Sequence, residues 1–290
     1  MHGIINLDKP KGMTSQEAVT FVKRTLRVKK AGHAGTLDPL ATGVLLILLG
    51  EATKVARFLS DLDKEYISKI KLGERTDTLD SEGNIIEKRD VPDIPKGQIE
   101  AVLSRFLGKI RQVPPMYSAL KHSGRPLYEL ARKGIEVERK ERPVNIYNIR
   151  LLSLNLPYLE IAISCSKGTY IRTLADDIGM ALGTGAHIVE LRRTSIGGFN
   201  IEDSLKINDL TPDKIIPIDK ALSHLREFKV SQREFELLTK GATIPHTDRT
   251  LLDGEYLRLK DPDGRLFAIG LSSVSPKIIR IERLFVGINK

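Results

Sequence analysis

The chain has 290 residues, 41% of them hydrophobic, enough for a sizeable packed core in one large domain and one small one. Lysine and arginine number 46 against 37 acidic side chains, and the net charge of +9 suits a polyanionic partner. A single cysteine, Cys165, rules out an internal disulfide framework and an all-cysteine metal site, and no apolar run is long enough to span a bilayer.

The charge is unevenly spread. Residues 1–60 carry nine basic and four acidic side chains and residues 226–290 carry twelve and nine, while the middle is nearly balanced. A nucleic-acid face is therefore expected on the N-terminal segment and the C-terminal module. Met1 to Asp8 lacks the apolar core of a signal peptide, so a reducing, cytoplasmic setting is expected, with Cys165 as a small buried strand residue.

In chain order, Gly3–Leu7 predicts a strand and Asp8–Met13 a basic turn. Thr14 and Glu17 have the spacing of a capping box, opening a helix whose apolar face is Ala18, Val19, Val22 and Leu26. Its tail, from Lys23-Arg24 to Lys29-Lys30, is basic, which suits a helix C-terminus and equally suits phosphate.

Gly32 to Gly43 then places one acid, Asp38, one imidazole, His33, and three glycines in twelve residues, ahead of the apolar run Val44–Leu49. Glycines let the backbone turn tightly and approach a ligand. Asp38 before Pro39 has two readings: a helix N-cap with proline at the first helical position, or a reactive acid in a turn backed by an apolar wall.

A buried segment and a helix ending near Asp61 follow, then a strand alternating over Tyr66–Leu72 and a turn-rich loop over 76–83. Ile99, Val102, Leu103, Phe106 and Leu107 form an amphipathic helical face, and Val113–Ala119 is rigid and extended. Residues 120–142 hold seven basic and four acidic side chains and predict a mobile basic insertion with a short helix near Leu127–Lys133. Val144–Leu152 and Tyr158–Ser166 alternate as strands, Leu174–Leu182 is helical, and Ile188–Thr194 is a further strand.

Strands and helices intermix without a βαβ repeat. The expected fold is therefore α+β, a central mixed or antiparallel sheet flanked by helices. Beyond a boundary near Leu225–Val230, short strands between Pro, Gly and Asp turns predict a small C-terminal β-barrel. The division is thus 1–225 and 226–290.

Phosphate-loop, dinucleotide-binding, H-E-x-x-H and G-x-S-x-G motifs are all missing, which removes support for NTP hydrolysis, nicotinamide chemistry, zinc proteolysis and α/β-hydrolase chemistry.

The string GHAGTLDPLATGVL closely resembles the catalytic motif of the TruB family, synthases that make pseudouridine at position 55 of tRNA. Lys9-Pro10-Lys11-Gly12-Met13-Thr14-Ser15 resembles the family's first motif, and Lys64-Glu65-Tyr66, Arg75 to Asp80, Lys167 to Arg172 and Leu191 to Thr194 resemble later ones, in order. The resemblance implies a pseudouridine synthase fold with a C-terminal RNA-binding PUA-like module over 226–290. It implies Asp38, Tyr66 and Arg172 as catalytic residues, Arg172 standing beside the acid. It implies His33 filling the space left by a flipped base and Leu191 flooring the pocket, and it adds Tyr170 and Asp80 to the substrate-binding set. Lys9, Pro10, Lys11, Lys29 and Lys30 are candidate RNA contacts.

The implied reaction breaks the uridine N1–C1′ bond, turns the uracil and joins C5 to C1′. It needs no net redox change and no phosphoryl transfer, so no metal and no cofactor are expected. Attack at C1′, addition at C6 and abstraction of a 2′ proton all require an ionised carboxylate. A base in a folded T-loop must first be flipped out. The expected partner is the tRNA T-stem-loop, met by a monomer without a protein partner, with 120–142 ordering over the RNA. Two alternatives accompany this reading: a guide-RNA-dependent synthase subunit, and a non-catalytic RNA-binding or folding protein. The 120–142 insertion favours the stand-alone enzyme, because the guided relatives have that segment shortened.

Overall fold

The structure, a computed structural model, describes residues 1–118, 120–122 and 124–287, apart from the side chains of Lys121 and His122. In its first third, β1 (Gly3–Lys9), α1 (Ser15–Thr25), β2 (Ala31–Ala34), β3 (Thr42–Leu49), α2 (Ala56–Ser60) and β4 (Lys64–Leu72) follow one another. The small hairpin β5 (Glu74–Thr76) and β6 (Ile85–Lys88), then α3 (Lys96–Ser104) and β7 (Gly108–Gln112), come next. A second hairpin, β8 (Lys121–His122) and β9 (Arg125–Pro126), leads into α4 (Leu127–Ala131). The chain continues through β10 (Arg142–Asn155), β11 (Tyr158–Cys165), α5 (Ile171–Ala181), β12 (Ala186–Ile196), β13 (Phe199–Asn200) and α6 (Ile218–Ala221). It closes with β14 (Arg226–Lys229), α7 (Gln232–Thr239), β15 (Ile244–Pro245), β16 (Tyr256–Lys260), β17 (Leu266–Val274) and β18 (Lys277–Leu284).

One large sheet runs in the order β1-β3-β12-β4-β11-β10-β7, with β2 added on β3 and β13 on β12. All its pairings are antiparallel except β12 with β3, so the sheet is mixed. The apolar run of β3 explains its central place. Leu45, Ile47 and Leu49 enter one core, while Val44, Leu46 and Leu48 enter another on the opposite face. The alternating β4 buries one face only, as a half-covered strand does.

The capping box forms as the sequence predicts: Thr14 Oγ1 accepts from the Glu17 amide and the Glu17 carboxylate accepts from the Thr14 amide. No helix starts at Pro39; residues 35–41 form an irregular turn into β3, so the N-cap reading of Asp38 is not realised. The helix read over Ile99–Leu107 runs earlier, as α3. Cys165 is buried at the end of β11, and burial pushes its thiol up to about 11. Of the 120–142 segment, Ser123 lies outside the described residues, as does Ala119 before it.

The C-terminal strands form a separate curled sheet in the order β14-β16-β17-β18-β15, a half-barrel around Leu257, Leu259, Phe267 and Ile279. It is seated on the far face of the large sheet. Phe58, Leu59, Ile218 and Leu222 share one apolar cluster with Leu266, Ile269 and Phe285. Polar ties frame that seam: Arg258 and Lys260 both bind Asp219, and Lys54 Nζ donates to the Leu284 carbonyl at 2.8 Å. Among the described residues, no helix is long and apolar enough to cross a membrane.

Candidate active site

The parallel seam between β12 and β3 lies beside the Asp38 turn. Arg192 and Arg193 of β12 pair with Thr42 and Gly43 where the chain enters β3. Only glycine fits at 43: its φ is +100°, and a Cβ there would lie 2.1 Å from the Arg193 carbonyl oxygen. A cleft of about 320 Å³ opens here, bounded by the Asp38 turn, β4, β12 and the entry to α5. Asp38, Tyr66, Tyr170, Arg172 and Leu191 all line it.

Asp38 keeps 36% of its side-chain surface exposed. Protein crowds the rest, and that burial pushes its pKa above the usual carboxylate range; Arg172 opposes the shift, Asp80 adds to it and Lys9 opposes it. Arg172 is 6% exposed and meets Asp38 Oδ2 through Nε at 3.0 Å. Its Nη1 donates to the Thr78 carbonyl at 2.9 Å and lies 3.5 Å from Asp80 Oδ2, and its Nη2 donates to the Tyr117 carbonyl at 2.6 Å. One rigid guanidinium fork thus ties the acid to two loops, a geometry a lysine could not reproduce.

The sequence assigns Asp80 to substrate binding, and the structure places it against Arg172. Asp80 is 3% exposed and stands behind Arg172. The Thr78 hydroxyl donates to its Oδ1 at 2.6 Å and the Glu82 amide to the same atom at 3.1 Å. Its loop is stitched to β12, the Ile188 amide donating to the Leu79 carbonyl at 3.2 Å and the Ser81 amide to the Ile188 carbonyl at 2.8 Å.

Lys9, a candidate RNA contact in the sequence, also lies inside. It is fully buried, and its ammonium donates to the carbonyls of Pro10 at 2.9 Å, Met13 at 2.7 Å and Pro39 at 3.4 Å. Burial lowers its pKa to about 8, with Asp38 opposing that shift. It ties the first motif to the Asp38 turn from below. Pro10, Lys11, Lys29 and Lys30 are exposed, away from the cleft wall.

Tyr66, from β4, is 8% exposed, and burial raises its pKa while Arg193 opposes the rise. Leu191 faces the cleft from β12, also at 8%. Gln112 holds the backbone before α5 from both sides: its carbonyl accepts from the Tyr170 amide at 3.0 Å and its amide donates to the Tyr170 carbonyl at 3.3 Å. His33 stands on β2, half-buried and outside the cleft lining. Burial, then Arg193, lowers its pKa, so the imidazole is neutral at pH 7, and its buried Nδ1 has no hydrogen-bond partner.

Three residues of the site escape the sequence reading. Ser15 fixes the Asp38 turn from α1, its hydroxyl accepting from the Leu37 amide at 2.8 Å and donating to the Leu37 carbonyl at 2.9 Å. Lys64 is a buried cleft-wall ammonium on the carbonyls of Ser60 at 2.6 Å and Leu62 at 2.5 Å, its pKa lowered to about 8 by burial. Arg193 is 1% exposed beneath the same wall. All three lie within the motifs quoted from the sequence, but nothing in those motifs assigns them a role.

Two family models match consecutive stretches of the chain. The model described as TruB family pseudouridylate synthase (N terminal domain) matches residues 23–171, and that described as tRNA pseudouridylate synthase B C-terminal domain matches 172–228. The second stretch supplies β12 to the middle of the large sheet, so the two matched segments build one sheet. A chain of the crystallised Cbf5–Nop10–Gar1 complex superposes with a TM-score of 0.77 at 30% identity, covering 99% of this chain and 86% of that one. The fold and the cleft define a pseudouridine synthase. The tRNA pseudouridine synthase B of Clostridium tetani is 45% identical over 99% of this chain and 100% of its own, and that of Coxiella burnetii 46% over 92% and 90%. The chain belongs to the TruB family.

Proposed function

We propose that the protein is a stand-alone tRNA pseudouridine synthase that converts uridine 55 of the T-loop to pseudouridine. The observation that carries the proposal is Asp38, a partly exposed carboxylate held by the Arg172 fork at 3.0 Å in a cleft of about 320 Å³. The flipped uridine lies against Tyr66, with Leu191 flooring the base. Asp38, ionised, acts on the ribose or the ring while N1–C1′ breaks and C5–C1′ forms. Arg172 keeps the carboxylate charged against the burial that would protonate it. Tyr66 stacks on the base, a contact worth about 1–3 kcal/mol that offsets part of the cost of flipping. His33, neutral and with an unclaimed ring nitrogen, fills the position the uridine leaves.

In this reading residues 1–225 perform the chemistry and 226–290 form the PUA-like module that holds the RNA. Lys11, Lys29 and Lys30 contact phosphates, and the 120–142 segment orders over the bound T-loop. The enzyme acts in the cytoplasm as a monomer, without protein partner, metal or cofactor. The relatives named tRNA pseudouridine synthase B support tRNA as the substrate. The similarity to Cbf5 in its complex keeps the guide-dependent reading as the second. Incubation of the purified protein with a tRNA transcript and no other RNA decides between them. Pseudouridine mapped to position 55 is the expected outcome. Product formed only after addition of a guide RNA and partner proteins would replace this reading with the second.

A further inference from the structure

Arg193 is among the largest fully buried side chains in the molecule, at 1% exposure. Its guanidinium is a planar cation with five N–H donors. Among the described residues, no carboxylate stands within ion-pair distance of it. Burying a cation without an anion is costly, and folds retain such features where function requires them.

Its hydrogen bonds show where that cost is directed. Nη2 donates to the Gly35 carbonyl at 2.9 Å, Nη1 to the Thr36 carbonyl at 3.4 Å and Nε to the Val44 carbonyl at 2.8 Å. Gly35 and Thr36 open the turn that carries Asp38, and Val44 lies in the strand that follows it. The fork therefore spans both ends of the catalytic turn from below. Its backbone is locked in the same place by the pairing of Arg193 with Gly43. The guanidinium also acts on Tyr66, opposing the rise of its pKa.

We propose that Arg193 is the positioning residue of this site: its fork sets the height of the 35–38 turn, so that the Asp38 carboxylate meets the flipped nucleoside at reactive distance. This rests on the synthase reading above. Arg193 is buried and acts through the turn and on Tyr66 rather than at the RNA surface, so its loss is expected to remove rate and leave affinity. A displacement of about 1 Å in a reacting group costs about 10²-fold in rate. Lysine keeps the charge but has no fork, and cannot serve three carbonyls in these directions.

The test compares wild type, Arg193→Lys and Arg193→Gln by single-turnover pseudouridine formation on tRNA, by tRNA affinity, and by amide hydrogen exchange. Both variants are expected to lose about 10²-fold in rate at unchanged affinity. The Leu37 amide should exchange faster in both while the β3 amides stay protected. A lysine variant with wild-type rate and exchange would overturn the proposal. A loss confined to affinity would overturn it too. If wild type makes no pseudouridine, the synthase reading fails, while the exchange arm still reports on the clamp. Should either variant lose protection throughout β3 and β12, Gly35→Ala takes its place. It retains Arg193 and strains the φ +83° residue whose carbonyl the fork holds. A lower rate at unchanged affinity then supports the clamp, and a wild-type rate overturns it.

Discussion

Asp38 is poised between two opposing influences, burial that favours its neutral form and the Arg172 charge that favours its ionised form. In the proposed mechanism the active form is ionised, so the rate should fall as pH drops through the raised Asp38 pKa. Arg172→Met removes the opposing cation. It should move the acid limb of the rate–pH profile to higher pH and lower the plateau, as single-turnover rates across pH will show. The same shift has a stability consequence. A carboxyl whose pKa is higher folded than unfolded binds its proton more tightly when folded. Stability is therefore lost as pH rises from the ordinary carboxylate value through the folded one. Asp38→Asn removes that loss, so its thermal stability relative to wild type should be greater at pH 8 than at pH 4. An unchanged difference between the two pH values would contradict the raised pKa. Asp38 stands out in the sequence because its whole motif is contiguous. The burial of Lys9 and Asp80 is not, because it depends on carbonyls and a guanidinium brought from distant segments.

Two adjacent residues at the start of α1 do different work. Thr14 caps the helix and touches nothing in the cleft. Thr14→Ala should cost about 1 kcal/mol of stability and leave the rate alone. Ser15 is buried and holds both backbone groups of Leu37. Ser15→Ala leaves that pair unsatisfied, at about 1–3 kcal/mol, and should also slow turnover by loosening the Asp38 turn. Chemical denaturation paired with single-turnover rates separates the two; equal rates in both variants would contradict the role given to Ser15. The strands and helices of the large sheet are readable from period and capping signals, as β4 and α1 show. The short β2 and β7 are not, because each is completed by its neighbour rather than by its own pattern. The α+β class follows from the intermixed elements, whereas the strand order, with β12 inserted between β3 and β4, is set by tertiary packing.

At the scale of the whole molecule, the basic charge is divided between buried and exposed positions. Lys9, Lys64 and Arg193 are inside, on backbone carbonyls, and Lys11, Lys29 and Lys30 are outside. Only the outer group can release counterions on RNA binding. Lys11→Gln or Lys30→Gln should lower the slope of log affinity against log salt by about 0.7–0.9 each, with the bound-state rate unchanged. A slope equal to wild type would remove that lysine from the RNA face. The proposed function places the chemistry on Asp38, without a guide RNA. It is tested most directly by tritium release from tRNA carrying [5-³H]uridine, with wild type and Asp38→Asn at matched tRNA occupancy. Release by wild type alone, with none by the variant, is the expected result. No release by wild type despite full occupancy, or equal release by both, would contradict it.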